Sequence, residues 1–170
     1  MDYAFVPTPV GDLGVAWSAA GVERLWFVDA DGAAAPPVDG TRHERPGFGA
    51  GDQLAGYFAG TLCDFDLPLL PRGTPFQLKV WEALQRLPYG TTASYGELAA
   101  TLGQPGASRA VGGANHNNPL PVVIPCHRVV AADGSLGGYA GGVCFKRFLL
   151  DHELRYSFHL ADHSARHSHG

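Results

Sequence analysis

The chain has 170 residues, 45% of them hydrophobic and 16% charged, the balance of one large folded domain or two small ones. No apolar run approaches membrane-span length and the N-terminus lacks a basic flank and apolar core for secretion, so a cytoplasmic protein with no membrane partner is expected. Three cysteines, Cys63, Cys126 and Cys144, without CxxC spacing argue against a disulfide framework or a cysteine-built zinc site, and leave a thiol available for chemistry. The net charge of −4 divides unevenly. Residues 1–71 hold 3 Lys/Arg against 10 Asp/Glu, whereas residues 72–155 hold 8 against 5, so the second part can face a polyanion that the first would repel.

In chain order, Tyr3–Val6, Val15–Trp17 and Val22–Val28 are short runs rich in β-branched and aromatic residues separated by turn signals, which predicts a small antiparallel meander. Residues 29–49 collect Gly and Pro and read as a long surface loop. Leu54, Tyr57 and Phe58 share a helical face that Gly60 ends. Phe65 and Leu67 alternate with Asp64 and Asp66 as a short half-buried strand, and the proline-flanked run 68–71 is the expected domain boundary.

The second part, 72–155, opens with helix grammar: Thr74 and Gln77 have capping-box spacing with Pro75 at the first helical position, and Phe76, Val80, Trp81, Leu84 and Leu87 form one apolar stripe. Ser94 and Glu97 repeat the box ahead of a short helix that Gly103 stops. A third helix runs from about Ala107 to His116 and carries Arg109 near its start. Two short helices joined by a glycine-containing turn form a helix-turn-helix pattern. Two glycines inside the second, Gly112 and Gly113, cost about 1 kcal/mol each relative to alanine, so a neighbouring element or a DNA backbone is expected to lie close against that face.

The run Val122-Val123-Ile124-Pro125-Cys126-His127-Arg128-Val129-Val130 reads as a buried strand interrupted by a proline and then a thiol, an imidazole and a guanidinium. Apolar surroundings raise a cysteine pKa, so reactivity at Cys126 needs a base or cation, for which His127 and Arg128 are nearest. Residues 137–142 are glycine-rich around Tyr139 but lack the GxGxxG order, and read as a pocket wall. A last helix, from about Val143 to Leu154, is expected to bury Phe145, Phe148 and Leu149. Glu153, four residues after Leu149, shares that face and needs a partner; His127 fits, giving nucleophile, base and orienter. The tail from 156, with four histidines, is expected to be disordered.

Residues 74–153 resemble the O6-alkylguanine-DNA alkyltransferases, also called methylated-DNA–protein-cysteine methyltransferases. The resemblance runs in order through Gly73-Thr74-Pro75-Phe76-Gln77, Pro88-Tyr89-Gly90, Ser94-Tyr95-Gly96, Ser108-Arg109-Ala110-Val111-Gly112, Asn118-Pro119, Pro125-Cys126-His127-Arg128-Val129 and Gly138-Tyr139-Ala140-Gly141-Gly142. It implies an α+β protein: a small N-terminal antiparallel-sheet domain, then a mostly helical domain with the helix-turn-helix and the cysteine. It further implies irreversible, single-turnover transfer of the alkyl group from O6-alkylguanine in duplex DNA to Cys126. His127 would be the base, oriented by Glu153 through a relay that in the family includes a water; Asn118 would brace the active-site turn and Tyr95 assist departure of the guanine. Ser94, Arg109, Ala110, Gly113 and Arg128 are expected at the DNA, with Arg109 filling the space of the flipped base from the minor groove. Tyr139, Ala140 and Val129 would line the pocket, the last through its backbone N–H. Ala140 stands where some relatives have a serine, shifting leaving-group stabilisation toward Tyr95. No cofactor or metal is expected, since residues 1–71 offer only His43 and Cys63, and a monomer associated with chromosomal DNA is. The alternative is a lesion-binding relative that performs no transfer; such proteins lack the cysteine that Cys126 supplies.

Overall fold

The computed structural model describes residues 1–28, 39–136 and 142–168, with side chains as far as Ser157. Strands β1 (Asp2–Thr8), β2 (Gly11–Ser18) and β3 (Gly21–Phe27) form the expected antiparallel meander. Thr8 pairs with Gly11 and Ser18 with Gly21, so both connections are two-residue hairpins, and the closing residue of the first, Gly11, has a φ of +98° that glycine adopts without steric cost. Val6, Leu13, Val15, Val22 and Leu25 face inward against Leu54, Tyr57 and Phe58 of helix α1 (Ala50–Ala59), which ends on a left-handed Gly60.

Two expectations for this part are corrected. Within the stretch 29–49, residues 29–38 lie outside the described residues, but residues 39–49 are not all loop. Strand β4 (Thr41–Arg42) joins β1 in parallel, and a 3-10 turn at Gly47–Gly49 leads into α1. An unpaired sheet edge recruits any nearby extended backbone, here through Thr41 N–H to Met1 O and His43 N–H to Tyr3 O. Phe65 and Leu67 form no strand either. Instead Val22 N–H donates to Pro68 O and Leu70 N–H to Val22 O, so the proline-flanked connection is tied to the free edge of β3.

Beyond it come α2 (Pro75–Gln85), β5 (Ala93–Ser94), α3 (Tyr95–Thr101), α4 (Ser108–His116), β6 (Val129–Val130) and α5 (Val143–Ser168). Both capping boxes are formed, with Gln77 N–H donating to Thr74 Oγ1 and Glu97 N–H to Ser94 Oγ; a cap of this kind contributes about 1 kcal/mol. Trp81 Nε1 donates to Ala114 O at 2.8 Å and fastens α2 to α4. One continuous apolar core runs from Val6 and Leu13 through Tyr57 and Trp81 to Val111, Ile124 and Leu149. The α+β reading therefore holds.

The apolar run 122–124 is not a strand. It is a turn in which Val122 has φ +74°, a left-handed conformation unfavourable for a β-branched side chain and incompatible with an extended strand. Only Val129 and Val130 pair, in parallel with Ala93 and Ser94. Helix α5 passes Leu154 and continues to Ser168, because no glycine or proline interrupts residues 155–168; the tail from 156 is thus helical for most of its length. Phe148, expected inside, lies 37% exposed. No described helix is long and apolar enough to cross a membrane.

Candidate active site

Cys126 begins a short 3-10 turn, Cys126–Arg128, between the Val122 turn and β6, and is 3% exposed. Two asparagines hold that turn. Asn118 Nδ2 donates to Ile124 O at 2.8 Å while its Oδ1 accepts from Leu120 N–H at 2.9 Å; Asn115 of α4 donates to Cys126 O at 3.3 Å. Pro125 precedes the cysteine and Cys126 N–H donates to Ile124 O. Such bracing is what a strained residue like Val122 requires to persist, and it fixes the sulfur on a rigid loop.

Behind the cysteine lies a buried carboxylate with five donors. Glu153 Oε2 receives His127 Nε2 at 2.5 Å, Tyr57 O–H at 2.6 Å and Arg128 Nη2 at 3.0 Å; Oε1 receives Arg128 Nε at 2.7 Å and Gly90 N–H at 3.2 Å. Gly90 is left-handed (φ +78°), and a Cβ there would come within 2.7 Å of Ser157 and 3.4 Å of Glu153 O, so only glycine lets this loop approach α5. Burial alone would raise the Glu153 pKa, but the hydrogen bonds from His127 and Arg128, together with the Arg128 charge, outweigh it and hold the group well below the usual carboxylate range. For His127, burial lowers the pKa further than Glu153 raises it. The imidazole is therefore neutral and the carboxylate acceptor-only, which places the ring hydrogen on Nε2. Nδ1, buried and without a hydrogen-bond partner among the described residues, keeps its lone pair.

Lys146 completes the buried charge. It lies seven residues before Glu153, two turns back on the same face of α5, fully buried, with an Nζ that has no hydrogen-bond partner among the described residues. Burial lowers its pKa and negative charge at Cys126 raises it. Tyr95 sits half-buried at the start of α3; burial and then the Cys126 charge raise its pKa, so it stays a protonated donor. Outside this centre, α4 presents a bare surface. Arg109, Ala110 and Gly113 are exposed; a Cβ on Gly113 would meet nothing within 4 Å, and one on Gly112 would reach only ordinary contact with the Tyr95 ring, at 3.9 Å. No neighbouring element explains the two glycines among the described residues.

A family model described as the DNA-binding domain of 6-O-methylguanine DNA methyltransferase matches residues 75–155. The methylated-DNA–protein-cysteine methyltransferase of Mycolicibacterium paratuberculosis is 47% identical over 158 residues, covering 92% of this chain and 94% of the relative. The chain belongs to the methylated-DNA–protein-cysteine methyltransferase family. The constitutive methyltransferase of Bacillus subtilis is 45% identical, over 89% of this chain and 94% of its own length. Among solved structures, Mycobacterium tuberculosis OGT in complex with DNA superposes with a TM-score of 0.85 at 43% identity, covering 92% of this chain and 94% of that one.

Set against the residues expected in a methyltransferase of this family, the structure brings Cys126, His127, Glu153, Asn118 and Tyr95 to one region. Ser94, Arg109, Ala110 and Gly113 lie on or beside the helix pair, although the Ser94 hydroxyl already caps α3. Two expectations fail. Arg128 is not at the DNA surface: it is 5% exposed, and its guanidinium is committed to Glu153 and to Leu87 O, beneath the Tyr89 ring at 5.6 Å. A cation next in sequence to a buried imidazole on a 3-10 turn is carried inward, where the carboxylate neutralises it. Val129 does not present an open N–H, since that group donates to Cys126 O within the turn. Tyr139 and Ala140 lie outside the described residues. Among the described residues no group of three or more His, Cys, Asp or Glu side chains is placed to hold a metal ion. Sequence reasoning missed Tyr57, Asn115 and Lys146; for the last, its spacing of seven from Glu153 was the available signal.

Proposed function

We propose that this methyltransferase repairs duplex DNA directly, taking the alkyl group from O6 of a flipped-out guanine onto Cys126 and retaining it. The observation that carries the reading is the order Cys126, His127, Glu153: a cysteine on a braced turn, followed in sequence by a buried imidazole whose Nε2 is held by a buried carboxylate.

In that scheme His127 Nδ1 receives the thiol proton, and Lys146 offsets the charge left on sulfur. The thiolate attacks the alkyl carbon, a carbon–sulfur bond forms, and the carbon–O6 bond breaks with its electron pair going to the guanine. Tyr95, still protonated, passes its proton to the departing base and is reprotonated at the expense of the proton held on His127, so the thiol hydrogen ends, in net, on the guanine. A thioether offers water no labile bond, so each molecule acts once. The bare face of α4 fits a groove wall, and the small Ala110 and Gly113 favour the minor groove with Arg109 inserted into the stack. Extrusion of the base costs a few kcal/mol, which Arg109 and the close-lying helix offset. The protein binds as a monomer.

Intact-mass and peptide mass spectrometry after incubation with O6-methylguanine duplex should show one added methyl, on the Cys126 peptide, in proportion to lesion. Tight binding without mass gain, or many lesions lost per molecule, overturns the proposal.

A further inference from the structure

The Glu153 carboxylate is held from both parts of the chain, and the contribution of the first part comes from Tyr57. This residue is on α1, 0% exposed, and donates its hydroxyl hydrogen to Glu153 Oε2 at 2.6 Å, the same oxygen that receives His127 Nε2. The ring is caged by Phe58, Phe65, Tyr89 and His152, with centroids between 5.1 and 6.1 Å away, and the Tyr57 carbonyl accepts from His152 Nε2 at 2.7 Å. Both ends of Tyr57 are thus attached to adjacent residues of α5. A phenylalanine would fill the same cage, so packing does not account for the hydroxyl.

We propose that Tyr57 is a positioning residue for alkyl transfer: its hydroxyl fixes Oε2 of Glu153 and withdraws charge from it, so that His127 remains a neutral base with its unbonded nitrogen available to the cysteine. The inference rests on the reading of His127 as the base. Burial first, and then the charge and hydrogen bond of Glu153, push the Tyr57 phenol well above its ordinary pKa, so it stays a donor throughout the working range. The groups facing this centre are Tyr57 from α1, Cys63 from the loop after it, Tyr89 from the loop after α2, His127 and Arg128 from the 3-10 turn, and Lys146 and His152 from α5. Among them Tyr57 and Arg128 share an oxygen with His127. A donor on that oxygen weakens its hold on an imidazolium. Taking the donor away therefore raises the proton affinity of His127.

The test uses the full chain with Tyr57→Phe and single-turnover rates, measured on both free O6-benzylguanine and O6-methylguanine duplex from about pH 5.5 to 9. The acid limb of the rate profile should move up by roughly half to one pH unit, and the rate at neutral pH should fall about 3- to 10-fold, the net worth of one ordinary hydrogen bond. The loss should be equal on the two substrates, with duplex affinity unchanged. An acid limb that superposes on the wild type overturns the proposal. If Tyr57→Phe does not fold, 3-fluorotyrosine at position 57, a more acidic and stronger donor of nearly the same shape, should move the limb to lower pH; an unmoved limb has the same force. His127→Gln separates the two levels: full activity in it defeats the base reading itself, whereas its loss alongside an unshifted Tyr57→Phe profile defeats only the role of Tyr57.

Discussion

Arg128 and Glu153 meet as a two-point fork, Nε to Oε1 at 2.7 Å and Nη2 to Oε2 at 3.0 Å, with both side chains buried. Removing one member of such a pair leaves the other ionised and uncompensated, which costs about 3–5 kcal/mol. Arg128→Ala is expected to lose stability on that scale in urea unfolding, and Arg128→Lys to recover only part of it, since an ammonium cannot reproduce the fork. A loss in Arg128→Ala below about 1 kcal/mol, together with reduced duplex affinity of the folded protein, would return Arg128 to the DNA surface.

Lys146 presents the opposite balance. Its ammonium is buried without a hydrogen-bond partner among the described residues, which is destabilising, yet it faces the Cys126 charge. Lys146→Met keeps the volume and removes the charge. The variant should melt at a temperature equal to or above the wild type, while its reaction with O6-benzylguanine slows by about 10-fold or more because less of the cysteine is thiolate. A faster reaction, or a marked fall in melting temperature, contradicts that assignment.

How much of this was legible beforehand depends on the range of each interaction. The two capping boxes and the glycine stop of α3 are local, and residues three apart suffice to write them. Glu153 was placed inward by its spacing from Leu149, and the carboxylate does meet His127. Tyr57 was not legible as a site residue, because an aromatic on an apolar helix face reads as core and its partner is 96 positions away. The run 122–124 misled for a related reason: three apolar residues look alike in a buried strand and in a buried turn, and only the positive φ of Val122, imposed by Asn118 and its bonds, separates them.

The buried centre also fixes the acid response. His127 and Glu153 both have folded-state pKa values below their ordinary ones, the first through burial, the second because His127 and Arg128 outweigh burial. A depressed pKa means the unfolded chain binds the proton first, so stability is present above the ordinary value and lost as pH falls below it. The urea midpoint should begin to decline below about pH 6.5 and fall more steeply below about pH 4.5. His127→Gln should lack the upper step. A midpoint that rises between about pH 7 and 5 would mean that His127 gains a proton on folding.

Arg109 is exposed at the N-terminal end of α4, away from the buried charges, so its part in the reaction concerns the duplex rather than the thiol. Arg109→Ala should leave the melting temperature and the reaction with free O6-benzylguanine near wild type, while slowing repair of O6-methylguanine in duplex by about 10-fold or more, since extrusion costs a few kcal/mol that the free base never incurs. Equal slowing on the two substrates would show that Arg109 acts on the chemistry and not on the stack.

Alkylation itself should loosen the fold. Cys126 is 3% exposed, enclosed by the Asn115 and Asn118 bonds of its own turn, and its sulfur shares the centre with Lys146 and Tyr95. A methyl added there enlarges a side chain that is already almost wholly buried, and overpacking of this kind costs about 1–3 kcal/mol. It also removes the thiol whose ionisation can compensate Lys146, leaving the buried ammonium without that counter-charge. Both effects act in one direction, so the S-methylated protein should melt several degrees lower than the unmodified form and be cut sooner by protease near residues 118–128. An unchanged or higher melting temperature would show that the centre holds room for the product, and that repair leaves no structural mark by which a spent molecule could be distinguished.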